Sequence, residues 1–185
     1  METSITKQQL FSKDDLKKLI IPLLFEQALA ITVGMADTVM ISSAGEAAVS
    51  GVSLIDMFNN LIISVLAALA TGGAVVTSQF LGAGKKEDAC KSAKQLIVSS
   101  VCITIGISIL VMVFCNGIIS LFFGKIEADV FHNAVIYMMI SALSFPFLAL
   151  YNSCAALFRS MGNSQITLKV SVVENIINIG GNALG

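Results

Sequence analysis

Apolar runs of about twenty residues recur along this chain of 185 residues. Each is long enough to cross a hydrocarbon core about 30 Å thick at 1.5 Å of helix per residue. Such a pattern leaves little choice of fold: an all-α, polytopic membrane helical bundle. Composition agrees, with 56% hydrophobic and 12% charged residues and a mean hydropathy of +0.87, where soluble domains carry roughly a quarter charged residues. Four complete spans are expected, at about 19–42, 53–80, 95–115 and 133–158. A fifth begins near Thr167 and is still apolar when the sequence stops at Gly185, which reads as missing sequence. Residues 1–18 form a polar N-terminal segment. Glu26, Gln27 and Asp37 interrupt the first apolar run and further runs follow it, which favours a first transmembrane helix over a signal peptide.

The charges orient the bundle. Of eleven basic residues, Lys7, Lys13, Lys17, Lys18, Lys85, Lys86, Lys91, Lys94, Arg159 and Lys169 fall in the N-terminal segment or in the connectors after the second and fourth spans. Lys125 alone lies on the other side. Loops rich in lysine and arginine stay in the cytoplasm, so the N-terminus is expected there, in a multi-pass protein of the cell's inner membrane. A formal charge of -1 and the absence of a basic cluster speak against a nucleic-acid partner. Cys90, Cys102, Cys115 and Cys154 lack the paired spacing of zinc or redox sites and read as reduced packing residues.

Four acids interrupt or border the apolar runs: Glu26, Asp37, Asp56 and Glu174. Ionisable groups there are costly and usually face a cavity or a partner. Asp37 lies about five residues, or roughly 8 Å, below the outer end of the first span. Asp56 and Asn60, one turn apart, come at a comparable level as the second span returns, although Asp56 with Asn59 and Asn60 also reads as a solvated helix start. Glu26 and Asp37 are eleven residues apart, which returns to nearly the same helical face, so both are expected to point into one cavity with Gln27 beside them. In the fifth span Asn175, Asn178 and Asn182 follow i, i+3, i+7 spacing and form one stripe, suited either to packing or to a site. Desolvation among neutral amides disfavours the charged form of an aspartate, making Asp37 a switchable charge. Glu26 serves equally as an interhelical hydrogen-bond partner, and Glu174 reads as structural.

Catalysis finds no footing. The stretch LGAGKK has glutamine where a phosphate loop needs its first glycine and Lys86 where Ser or Thr should follow the lysine. His132 has no partner ligands for a metal and no nucleophile to serve. The protein is therefore not expected to be an enzyme.

Four segments in order carry a family resemblance. IPLLFEQALAITVGMADTVMISSAGEAAVSGVSL resembles the first helix and loop of the multidrug and toxic compound extrusion (MATE) transporters, through Pro22, Glu26-Gln27 and Asp37-Thr38. ATGGAVVTSQFLGAGKKEDA is similar to the end of that family's second helix, SFPFLALYNSCAALFRSMGNSQ to the fourth helix with its turn at Arg159, Gly162 and Asn163, and NIINIGGN to the fifth. The resemblance implies a twelve-helix exporter of two six-helix lobes, of which residues 19–185 are part of the N-terminal lobe. It implies exchange of a drug or organic cation for H⁺ or Na⁺ by alternating access. Asp37 would be the coupling carboxylate, supported by Asn178 and Asn182. Glu26, Gln27, Asn175, Asp56 and Asn60 would be substrate-cavity candidates. No cofactor beyond the coupling ion is implied, and no metal beyond Na⁺ at Asp37. Partners would be the lipid bilayer, the transported molecule, and the missing C-terminal lobe or a second chain. Asn182 stands where aspartate is common, which reduces a two-carboxylate cluster to one, and Val33 replaces a tyrosine of some relatives. A lipid-linked saccharide flippase of the same superfamily is the alternative, and would call for basic residues in the cavity; a non-transporting membrane fragment is another.

Overall fold

The computed structural model describes residues 13–184, apart from the side chains of Asp15 and of residues 182–184. Five helices follow one another: α1 (Lys13–Ser42), α2 (Glu46–Gly82), α3 (Lys86–Phe123), α4 (Ala128–Ser160) and α5 (Ser164–Leu184). Most of the N-terminal segment, residues 1–12, lies outside the described residues. By length and composition, α2, α3, α4 and all but the first turn of α1 qualify to cross a membrane. Lys169, Glu174 and three asparagines keep α5 below that measure.

The helices outrun the apolar runs. The stretches expected to be loops, SAGEAAVSG and LGAGKKEDACKSAK, are mostly helix, because α2 already begins at Glu46 and α3 at Lys86. Alanine, glutamate and lysine are strong helix formers. Glu46, Glu87, Asp88 and Asp129 sit in first turns, where a negative charge favours the positive end of the helix dipole.

Glycine ends the helices sharply. At the 2–3 connection the Gly84 N–H donates to the Leu81 carbonyl and the Lys85 N–H to the Phe80 carbonyl, with Gly84 at φ 74°. The 4–5 connection repeats this, with Gly162 N–H to Arg159 and Asn163 N–H to Phe158 at φ 80°. Both are Schellman turns, which need a residue tolerant of positive φ. The Arg159-to-Asn163 motif is thus a capping device, with Arg159 in the last turn of α4.

Packing divides the helices into two groups. α2, α3 and α4 pack extensively on one another, with α4 in the middle, whereas α1 packs on α5 and touches α2 only sparsely. One cluster of the three-helix group joins Ile55 of α2, Val111, Cys115 and Ile119 of α3, and Ala134, Met138, Ala142 and Phe145 of α4. The other joins Ala70 and Ala74 to Leu96, Ala156 and Leu157. Lipid removes the hydrophobic drive between helices, so close backbone approach must supply van der Waals contact instead. The small-residue surface of α2 does this on one side only: Ala70, Gly73 and Ala74 pack inward, while Ala68, Thr71 and Gly72 face outward. Gly51 makes the tightest approach to a neighbouring backbone: a Cβ there would stand 2.9 Å from the Val130 carbonyl oxygen of α4.

α4 runs through Pro146 as one helix, and the non-helical residue lies in α3, at Phe114 (φ -103°, ψ 15°). Neighbouring helices and local adjustment tolerate a proline in a membrane helix. Of the cysteines, all four are reduced, but only Cys115 is buried in the core, and Cys90 and Cys102 are exposed.

Candidate functional site

A cavity of about 570 Å³ opens on the seam between the two packing groups. Asp37 of α1 and Asn178 of α5 line it from one group, and Asp56, Asn59 and Asn60 of α2 with Tyr137 of α4 from the other. Asp37 lies on the partly buried stripe of α1 formed by Leu23, Glu26, Val33 and Ile41 at helical spacing, with the exposed faces of Met35 and Val39 turned away. α5 presents Asn175 and Asn178 on one partly buried side, as the i, i+3 spacing requires. The described lining residues include two carboxylates and no lysine, arginine or histidine, so the cavity carries a negative field.

Hydrogen bonds tie down the α2 and α4 wall. The Tyr137 hydroxyl donates to Asp56 Oδ1 at 2.8 Å. Asn59 Nδ2 donates to Ser141 Oγ at 3.0 Å, while its Oδ1 is buried without a partner among the described residues. On the α1 wall, the Thr38 hydroxyl bonds back to the Gly34 carbonyl of its own helix.

A second polar cluster lies deeper along α1. The Tyr151 hydroxyl donates to Glu26 Oε1 at 3.4 Å, and Arg159 Nη1 lies 3.8 Å from the same oxygen. Glu26 Oε2 is buried and has no hydrogen-bond partner among the described residues. Glu26 therefore shares the face of Asp37, but it meets α4 and does not line the cavity.

The structure brings together Asp37, Asp56, Asn60 and Asn178 from the sequence candidates. Gln27 is exposed, and Asn175 donates to the Ser171 carbonyl one turn back in its own helix at 2.7 Å. The side chain of Asn182 lies outside the described residues. Asp56 is no helix start, because α2 begins ten residues earlier. Sequence reasoning missed Tyr137 and Ser141, whose hydroxyls fall within an apolar run, and the signal that finds them is their spacing one turn apart on the buried side of α4.

The MatE family model matches residues 22–184. The chain belongs to the MATE family. Members of this family are transporters, not enzymes. It is 31% identical over 186 residues to "Uncharacterized transporter YisQ" of Bacillus subtilis (strain 168), covering 95% of this chain and 40% of that protein. It is 25% identical over 172 residues to "Probable multidrug resistance protein NorM" of Thermotoga maritima, covering 90% and 36%. The MATE chain thus spans about two fifths of the length of these relatives. Two solved structures share the fold, each at TM-score 0.83 over 92% of this chain and 37% of theirs. One, at 20% identity, is a MOP superfamily transporter from Pyrococcus furiosus whose binding pocket is described as having reverse polarity, suggesting a different function. The other, at 19%, is a multidrug resistance MATE family transporter in an outward-facing conformation.

Proposed function

We propose that the protein containing this chain exports drugs or organic cations by alternating access, coupled to H⁺ or Na⁺, and that Asp37 is the carboxylate that takes up the coupling ion. One observation carries the reading: Asp37 and Asn178, from helices at opposite ends of the chain, line one acidic cavity on the seam between two packing groups. An ion bound there neutralises a carboxylate that is costly to bury charged. It biases the conformational equilibrium by its differential affinity for the two states. The name of the Thermotoga relative, a probable multidrug resistance protein, supports the substrate class. The basic residues favour a cytoplasmic N-terminus.

The flippase alternative fits less well, because no described lining residue of the cavity is basic and a phosphate would meet two carboxylates. Asp37→Asn in the protein as its own cell makes it is expected to abolish ion-driven efflux at unchanged expression. Wild-type efflux in that variant, measured in everted membrane vesicles, would remove Asp37 from the mechanism.

A further inference from the structure

We infer that the α2 and α4 wall of the cavity is a recognition subsite for the ammonium nitrogen of a cationic guest, formed by Asp56, Asn59 and Tyr137. The inference rests on the transporter reading and names what the transported molecule must present.

The charge count comes first. The cavity holds two carboxylates and no basic side chain among its described lining residues. A single coupling ion at Asp37 leaves the second charge unmet. Asp56 lies on a different helix and in the other packing group, so it needs a positive partner of its own.

Hydrogen bonding then specifies the partner. A carboxylate has about four lone-pair sites, and the Tyr137 hydroxyl occupies one on Asp56, at 2.8 Å, which fixes the orientation of the group. One turn along the same helix, Asn59 is 9% exposed. Its amide nitrogen is engaged by Ser141 at 3.0 Å, which orients the oxygen; that oxygen is buried with no hydrogen-bond donor among the described residues. A buried acceptor without a donor costs about 1–3 kcal/mol, so it signals a missing partner. A charged and a neutral acceptor at i and i+3 share one side of a helix. They suit a primary or secondary ammonium, which brings positive charge and several N–H donors on one atom. An uncharged guest fails the first acceptor, and a guest without N–H groups fails the second.

Ion and guest therefore have separate carboxylates on separate walls. The test uses the complete protein purified in detergent and two fluorescent probes: dansylcadaverine, a primary alkylammonium, and its uncharged N-acetyl derivative. The wild type is expected to prefer the ammonium by about tenfold, the scale of one charge-assisted hydrogen bond. Asp56→Asn abolishes this preference without changing affinity for the acetylated probe, Tyr137→Phe reduces it, and Asp37→Asn keeps it. A wild type without the preference overturns the subsite, as does a preference that survives in Asp56→Asn or disappears in Asp37→Asn. If Asp56→Asn does not fold, Tyr137→Phe decides, and an unchanged preference there overturns the subsite. Ammonium preference with wild-type efflux in Asp37→Asn leaves the subsite standing and defeats the coupling role of Asp37 instead.

Discussion

Glu26 and Asp37 occupy one stripe of α1 and yet serve different neighbourhoods, because eleven residues at 1.5 Å each separate them by about 16 Å along the axis. Glu26 is held by a tyrosine hydroxyl and by an arginine at 3.8 Å, with its other oxygen buried and without a partner among the described residues. Removing Arg159 strands a carboxylate that is only 13% exposed. Arg159→Ala is therefore expected to destabilise the protein, and Glu26→Gln in the same chain to recover part of the loss. The double-mutant cycle, read by thermal unfolding in detergent, should return a coupling of roughly 0.5–3 kcal/mol; strictly additive effects would show the pair to be inert. Acids in apolar runs are legible in sequence because their cost demands a reason, and counting from the span ends was enough to put Asp37, Asp56 and Asn60 at one level, whereas Asn178 joined them only through the family resemblance. Periodicity gives the face a residue shares but not the neighbour it meets, so the turn of Glu26 toward Arg159 was beyond it. Tyr137 and Ser141 stayed hidden because hydroxyl side chains sit in apolar helices without evident penalty.

Among the helices, the contact between α2 and α4 is set by backbone and not by side-chain bulk. A methyl group on Gly51 would stand 2.9 Å from one α4 backbone atom and 3.0 Å from another, neither able to swing aside. Gly51→Ala is expected to force the helices apart and destabilise by roughly 1–3 kcal/mol, the usual range for overpacking. Gly72 of the same helix has nothing within 4 Å, and Gly72→Ala should be neutral or stabilising by up to about 1 kcal/mol from helix propensity. Comparing the melting of the two variants checks this, and equal effects would refute it. Existence and order of the helices were legible in hydropathy; their ends were not. Hydropathy tracks the thickness of the bilayer, whereas a helix stops where glycine can turn the chain, at Gly84, Gly124 and Gly162, each with positive φ.

For the molecule as a whole, orientation is the quantity most open to test. Exposed Cys90 lies in the second turn of α3 beside Lys91, at the end the positive charges place in the cytoplasm. In a variant whose other cysteines are replaced, a membrane-impermeant maleimide should label Cys90 only after the cells are permeabilised, and His132→Cys should be labelled in intact cells; the reverse pattern would invert the topology. The two packing groups also impose an order on assembly. α1 leaves the ribosome before the other four helices, but its main partner among them, α5, begins roughly 120 residues later. At about 5–20 residues per second, α1 waits about 6–24 s for it while the three middle helices are made. Throughout that interval Asp37 lacks the asparagine that shares its cavity, so the first helix is the one that most needs a chaperone or a delayed entry into lipid.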